Sequence, residues 1–314
     1  MKILVLGAGG TGGYFGGRLA QAGSNVTFLV REKRAAQLAR DGLIIESPHD
    51  KITLRVASVL AKDVKPEYDL IILSCKAYDL DSAIAAIAPA MGPHACIVPL
   101  LNGMTHMAAL DLTFGRQRVM GGVAQIAATL TPAGHVKSLA DVHLIVWGAR
   151  ETSQQPLASA LGEAFAKTIV DWKVSDNIEQ EMWEKVVFLS TLAGMTCLMR
   201  GSIGEILSTP DGKALMERFV AGNIAIAERE GFAPRPPVIE RFRNLLNTTG
   251  SPLTASMLRD LENGGAIEAD HIVGFMLGRA RHHGTDDTLL GVAYTHLKTY
   301  EARQAAGRLP KVAG

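Results

Sequence analysis

Cysteine is scarce in this chain: three residues in 314, at Cys75, Cys96 and Cys197. They lie far apart and form no C-x-x-C pair, so neither a disulfide framework nor a thiolate metal site is expected. A reducing, cytoplasmic compartment follows from that usage. A charge surplus is missing too, with 32 Lys+Arg against 31 Asp+Glu. That balance argues against nucleic acid or an anionic membrane as the main partner. No apolar run approaches the length of a membrane span, and the apolar start is too short for a signal peptide. Repeats and low-complexity segments are also absent. What remains is a chain that is 47% hydrophobic and 20% charged, long enough for two domains with sizeable cores.

The most informative stretch is the first thirty-one residues. Lys2–Leu6 is an apolar run of strand length, and Gly7-Ala8-Gly9-Gly10-Thr11-Gly12 follows it directly. Tyr14–Ala22 continues with helical spacing, and Asn25–Val30 reads as a second strand ending at Arg31. Gly7, Gly9 and Gly12 therefore stand at G-x-G-x-x-G spacing between a strand and a helix, the pattern of a dinucleotide site. Gly7 allows the tight turn, Gly9 lets the backbone approach a pyrophosphate, and Gly12 lets helix and strand pack closely. The unpaired N–H groups at the helix start favour phosphate. An NAD site usually carries an acidic residue at the end of the second strand. Here Arg31 stands there, with Lys33 and Arg34 behind it. A guanidinium there suits a 2′-phosphate, so NADP (NADPH) is the expected cofactor, with a solvated basic loop as the alternative.

Further along, strand-like and helical runs alternate. Lys33–Asp41 reads as a helix stopped by Gly42, and Leu43–Ser47 and Lys51–Val56 as a hairpin. Asp69–Cys75 and Ala95–Pro99 read as buried parallel strands around a Leu80–Ala90 helix closed by Gly92-Pro93. Val119–Thr129, His135–Lys137, Val142–Trp147 and Thr168–Lys173 read as further strands. This is α/β, an N-terminal Rossmann-type doubly wound sheet. After Lys173 only helical periodicity remains, in Asn177–Arg200, Asp211–Glu230, Pro237–Asn247, Ile267–His283 and Asp287–Ala306. The expected organisation is a nucleotide-binding domain over residues 1–173 and an all-helical C-terminal domain over 174–314. The substrate is expected in the cleft between them. A homodimer through the helical half is compatible with its apolar content.

Several polar residues stand where chemistry is expected. Lys76 and Asn102 each follow a parallel strand, at the carboxyl edge where ligands bind. A lysine snorkelling at a strand end and an ordinary Asn-Gly turn are the plain alternatives. Lys185 lies in MWEKVVFLSTLA, apolar nearly all round, so its helix should be largely buried. Burial lowers a lysine's pKa toward the range useful for proton transfer, although an ion-paired or surface lysine is equally compatible. Ser256 lies close to a helix start. Glu268 stands near another, where stabilising the helix dipole by about 0.3–1 kcal/mol would suffice to explain it.

Taken together, KILVLGAGGTGG, FLVR, SCKAYD, LNGM, GGVAQIAATLTPAGHV, WEKVVF, SMLRD and IEADHIVGFMLGRARHHG resemble the ketopantoate reductases (2-dehydropantoate 2-reductases) over nearly the whole chain. The resemblance implies NADPH-dependent reduction of a 2-oxo acid, 2-dehydropantoate to (R)-pantoate in pantothenate biosynthesis. It implies that Arg31 binds the 2′-phosphate, that Lys76 and Asn102 lie near the nicotinamide, and that Asn102 also touches substrate. Lys185 would be the general acid, Ser256 would bind the substrate carboxylate, and Glu268 would help hold the reacting groups. One departure stands out: family members carry asparagines one and two helical turns after the lysine, where this chain has Leu189 and Ala193. That opens the alternative of a more apolar 2-oxo acid as substrate. A non-catalytic NADPH-binding sensor is a separate alternative, against which the joint presence of Lys185, Ser256 and Glu268 speaks.

Overall fold

The computed structural model describes residues 1–309. The last residues of the expected 174–314 domain, 310–314, lie outside them. Two compact units result. The first comprises Met1–Leu101 and His106–Glu181; the second takes Asn102–Thr105 together with the chain from Met182 onward. The division falls inside a continuous helix rather than at 173/174, because helical hydrogen bonds run through the border without a break.

In chain order the first unit contains β1 (Lys2–Leu6), α1 (Gly10–Gln21), β2 (Asn25–Leu29), α2 (Glu32–Asp41), β3 (Leu43–Glu46), β4 (Lys51–Leu54) and β5 (Ala57–Val59). It continues with β6 (Tyr68–Leu73), α3 (Leu80–Ile87), β7 (Met91–Pro99), α4 (Thr105–Phe114), β8 (Gly121–Leu130), β9 (Val136–Gly148), α5 (Gln155–Phe165) and β10 (Asp171–Val174). The fold is α/β as expected, with the strands divided between two sheets. An all-parallel sheet runs β5-β2-β1-β6-β7, the Rossmann-type half. A mixed sheet is built on β9, which pairs antiparallel with β8 and parallel with β3 and β10.

Two expectations change here. His135–Lys137 and Val142–Trp147 belong to one strand, β9, whose polar middle is carried by a register shift opposite β8 between Ile126 and Ala128. Gly92-Pro93 does not close a helix but lies within β7, at a register shift on the edge of the parallel sheet. Proline is tolerated at such an edge because no neighbouring strand requires its missing N–H.

Helix α1 lies between the two sheets, and its glycines are the reason. A Cβ on Gly16 would come within 2.9 Å of Phe28 in the parallel sheet, and one on Gly17 within 2.5 Å of Ile45 in the mixed sheet. On the same helix Arg18 is fully buried and cannot shed its charge. It forms a bidentate pair with Asp50 at 2.5 and 2.7 Å, which fastens the β3–β4 turn to α1. The Tyr14 ring lies 5.1 Å beneath the guanidinium, and its hydroxyl meets His143 Nδ1 at 2.5 Å.

The second unit contains α6 (Ile178–Met199, which begins in the first unit), α7 (Ile203–Leu207), α8 (Gly212–Arg229), α9 (Pro236–Leu246), α10 (Ser256–Glu262), a π-helical turn (Asp270–Gly274), α11 (Phe275–His283) and α12 (Thr288–Ala305). Its core gathers Val186, Val187, Phe219, Ile226, Met276 and Leu297 around α6. By length and composition α6 could cross a membrane, contrary to the expectation that nothing approaches a span. Most of its apolar window is nevertheless buried within the protein, as in a core helix.

Asp50→Asn leaves the buried Arg18 guanidinium without a counter-charge, and breaking such a pair costs about 3–5 kcal/mol. Urea unfolding at pH 7 is expected to show a loss near the low end of that range, since Asp50 is only partly buried. Hydrogen bonds from Arg18, opposed by burial, hold the Asp50 carboxyl down at about 2. The pair's contribution is therefore full above the ordinary carboxylate pKa and is lost as pH falls through about 2. An unchanged unfolding midpoint in the variant would contradict this account.

Candidate active site

The glycine loop is built as its spacing requires. Gly7 has φ +91°, which other residues rarely adopt. A Cβ on Gly12 would lie 2.1 Å from Ser74 Oγ and 2.5 Å from the Gly7 carbonyl oxygen. The Ser74 hydroxyl donates to the Leu6 carbonyl at 2.9 Å, tying the end of β6 to the end of β1. Above Gly9 the space is open: an added Cβ would meet nothing within 4 Å. Helix α1 starts without a capping side chain or an acidic residue in its first turn. Its N–H groups are therefore suited to an anion.

Beside this loop lies a cavity of about 300 Å³, lined by Gly7, Ala8, Gly9, Arg31, Arg34 and the α3 residues Ser82, Ala83 and Ala86. Arg31 stands at its rim as the residue before α2, its side chain 83% exposed. It pairs with Asp79 at 3.5 Å. An exposed pair of that kind is worth about 1 kcal/mol or less, so the guanidinium is free to turn to a ligand. Arg34 differs. It donates to the carbonyls of Ala8 at 2.8 Å and Gly134 at 2.7 Å, while its buried Nε has no protein partner. The sequence marked Arg34 only as part of a basic cluster; its part in fixing the glycine loop depends on the distant β8–β9 turn. Lys76 follows β6 at the carboxyl edge of the parallel sheet, as the residue before a 3₁₀ turn (Ala77–Asp79). Gly10, Thr11 and Gly12 form the first turn of α1. These residues fit a dinucleotide: open backbone for a pyrophosphate, a cavity beyond it, and an exposed guanidinium at the rim.

In the second unit the structure brings Lys185, Glu268 and the Asn102 loop to one neighbourhood. Lys185 keeps part of its surface open while protein fills most of the volume around it. Burial pushes its ammonium down to about 8, with the nearby Glu268 carboxylate pulling the other way. Glu268 is 3% exposed and immediately precedes the helical turn that begins at Ala269 and continues as the π turn. The helix thus starts two residues later than the expected Ile267, which leaves Glu268 on the lip of the helix rather than within it. Gly103 has φ +80°, and a Cβ there would lie 1.9 Å from the His271 carbonyl oxygen in the π turn. Glycine alone lets the Asn102-Gly103 turn rest on that carbonyl. On α6, one and two turns beyond Lys185, Leu189 is half-buried and Ala193 is buried. Ser256 opens α10 and is exposed.

Two family descriptions cover most of the chain: "Ketopantoate reductase PanE/ApbA" matches residues 3–151, and "Ketopantoate reductase PanE/ApbA C terminal" matches 177–301. The chain belongs to the ketopantoate reductase family. It is 33% identical over 304 residues to an uncharacterised oxidoreductase, YkpB, of Bacillus subtilis, across 97% of this chain and 100% of that one. It is 27% identical to the 2-dehydropantoate 2-reductase of Halobacterium salinarum, across 90% and 93%. The PanE/ApbA family ketopantoate reductase of Ralstonia eutropha has the same fold, with a TM-score of 0.86 at 24% identity over 97% and 100% of the two chains. So does D-mandelate dehydrogenase in its ternary structure with NADH and anilino(oxo)acetate, at 0.87 and 22% over 97% and 100%. As a ketopantoate reductase family member, the protein is an oxidoreductase that uses a nicotinamide cofactor.

Proposed function

We propose that this ketopantoate reductase family member reduces a 2-oxo acid to a 2-hydroxy acid with NADPH, 2-dehydropantoate to (R)-pantoate being the first candidate reaction. The observation that carries the reading is the lysine on α6, buried enough to titrate near 8 and kept protonated by a buried glutamate. NADPH, when bound, supplies the hydride to the ketone carbon. Lys185 donates its proton to the ketone oxygen as negative charge develops there. Glu268 opposes the desolvation of the ammonium and so keeps the acid loaded at neutral pH. The partly open face of Lys185 lets it regain a proton from solvent after turnover. Asn102 orients the substrate and the cofactor's reacting end, Ser256 takes the substrate carboxylate, and Lys76 steadies the cofactor. Gly7 to Gly12 receive the pyrophosphate, and Arg31 pairs with the 2′-phosphate in place of Asp79.

Lys185→Ala is expected to lower kcat by roughly 10²–10⁴-fold while NADPH binding survives. The acid is active when protonated, so wild-type kcat should fall as pH rises through about 8 rather than near 10.5, the ordinary lysine value. Retention of turnover in the variant would overturn the role.

Arg31→Ala is expected to weaken NADPH while leaving NADH nearly unaffected, by about tenfold or more for loss of a charge-assisted phosphate contact. Equal effects on the two cofactors in direct binding titrations would remove the 2′-phosphate assignment.

A second reading, a more apolar 2-oxo acid as substrate, is favoured by Leu189 and Ala193, which offer no hydrogen bond to a substrate hydroxyl. A site lacking such partners gives up discrimination that polar groups supply in orders of magnitude. Steady-state kinetics with 2-dehydropantoate beside a panel of branched and aromatic 2-oxo acids decides between the two. A kcat/KM for 2-dehydropantoate far below that of an apolar acid replaces the first reading with the second.

A further inference from the structure

Two residues after Glu268 begins the one π-helical segment among the described residues, Asp270–Gly274. A π turn accommodates an extra residue in a helix at a cost in hydrogen-bond geometry, so it persists only where surrounding contacts fix it. Here those contacts come from α12. Both carboxylate oxygens of Asp270 are engaged: Tyr294 Oη donates to Oδ1 at 2.5 Å, and Lys298 Nζ donates to Oδ2 at 3.0 Å. The Tyr294 ring lies against Gly274, at the far end of the same turn, where a Cβ would come within 2.8 Å of it. Lys298 lies over that ring at 5.9 Å and is itself paired with Glu301.

The chain ahead of Glu268 is held by the same helix. Tyr300 Oη donates to the Gly265 carbonyl at 2.7 Å, and Gln304 Nε2 donates to the Gly264 carbonyl at 2.6 Å. The burial of α12 is already provided by Leu290, Ala293 and Leu297, so its docking does not require these polar contacts. They converge instead on the two flanks of a single residue. We propose that α12 is a positioning brace for the Glu268 carboxylate, with Tyr294 and Lys298 fixing the chain after it through Asp270, and Tyr300 and Gln304 fixing the chain before it. Each of the four acts through the backbone that carries Glu268. The brace also fixes the His271 carbonyl on which the Asn102-Gly103 turn rests.

Burial opposes the Asp270 charge, but hydrogen bonds from Tyr294 and Lys298, helped by the nearby His271, hold its carboxyl below the ordinary value. The Asp270 carboxylate therefore stays charged through neutral pH. This inference deepens the proposed roles of Glu268 and Lys185 and rests on them. Its test is Tyr294→Phe alone and with Lys298→Met, beside the conservative Lys298→Arg. The first readout is the pH titration of the Lys185 ε-carbon by ¹³C NMR of the labelled protein, assigned by the signal missing from Lys185→Ala. The second is kcat against KM for NADPH.

Loosening Glu268 withdraws the charge that raises the Lys185 pKa. The double variant should titrate roughly one pH unit below wild type, a fraction of what a close opposite charge contributes. Its kcat should drop by about tenfold to a hundredfold, as displaced catalytic groups do, with KM for NADPH little changed. Lys298→Arg should restore both values. An unchanged Lys185 titration overturns the brace, whether or not the melting temperature falls. Should the double variant fail to fold, Tyr294→Phe, which removes a single hydroxyl, decides by the same titration. A wild-type protein that reduces no 2-oxo acid would defeat the proposed function, while the titration would still report on the brace.

Discussion

The second unit depends on an opposition between burial and charge at Lys185. Protein packed around its ammonium makes the charged form expensive, and the Glu268 carboxylate makes it affordable again. Neither effect alone would hold the ammonium near 8. A solvated lysine holds its proton near 10.5, whereas a buried lysine without a nearby carboxylate gives it up too early. Helix α6 supplies the burial through its packing with α8 and α11. The lip of the π turn supplies the carboxylate, and Gly103 brings the Asn102 turn to the same place.

The first unit solves a different problem with the same economy of parts. Its glycines allow α1 to lie between two sheets and leave the backbone open above Gly9. That arrangement puts Arg18 in the interior, where the bidentate contact with Asp50 compensates its burial. At the other end of the helix, Arg34 ties the glycine loop to the β8–β9 turn, while Arg31 remains exposed. Two arginines three residues apart thus have different jobs, one architectural and one available to a ligand.

Much of this was legible in the sequence wherever a local physical rule decides the outcome. Gly7 and Gly12 announced themselves because a positive φ and a close approach admit no other side chain. The β3–β4 hairpin and the helices α8, α9 and α12 followed their hydrophobic periods to within a residue or two. What escaped is what tertiary structure decides. The polar middle of β9 looked like a gap between strands until β8 paired along it. Gly92-Pro93 looked like a helix stop because sequence does not reveal a sheet edge. Asp270 drew no notice, since nothing local distinguishes a π turn from an α turn. The association of Asn102 with the helical unit depends on contacts between residues far apart in the chain. Lys185 could be singled out by its apolar surroundings, but Glu268 as its neighbour could not be deduced from spacing.

The central claim is that Lys185 is an acid tuned by its surroundings, and its own titration tests that most directly. A ¹³C NMR titration of wild type is expected to place Lys185 near 8, and Glu268→Gln, which removes only the opposing charge, is expected to move it lower still. A wild-type value near 10.5, unmoved by Glu268→Gln, would contradict the account.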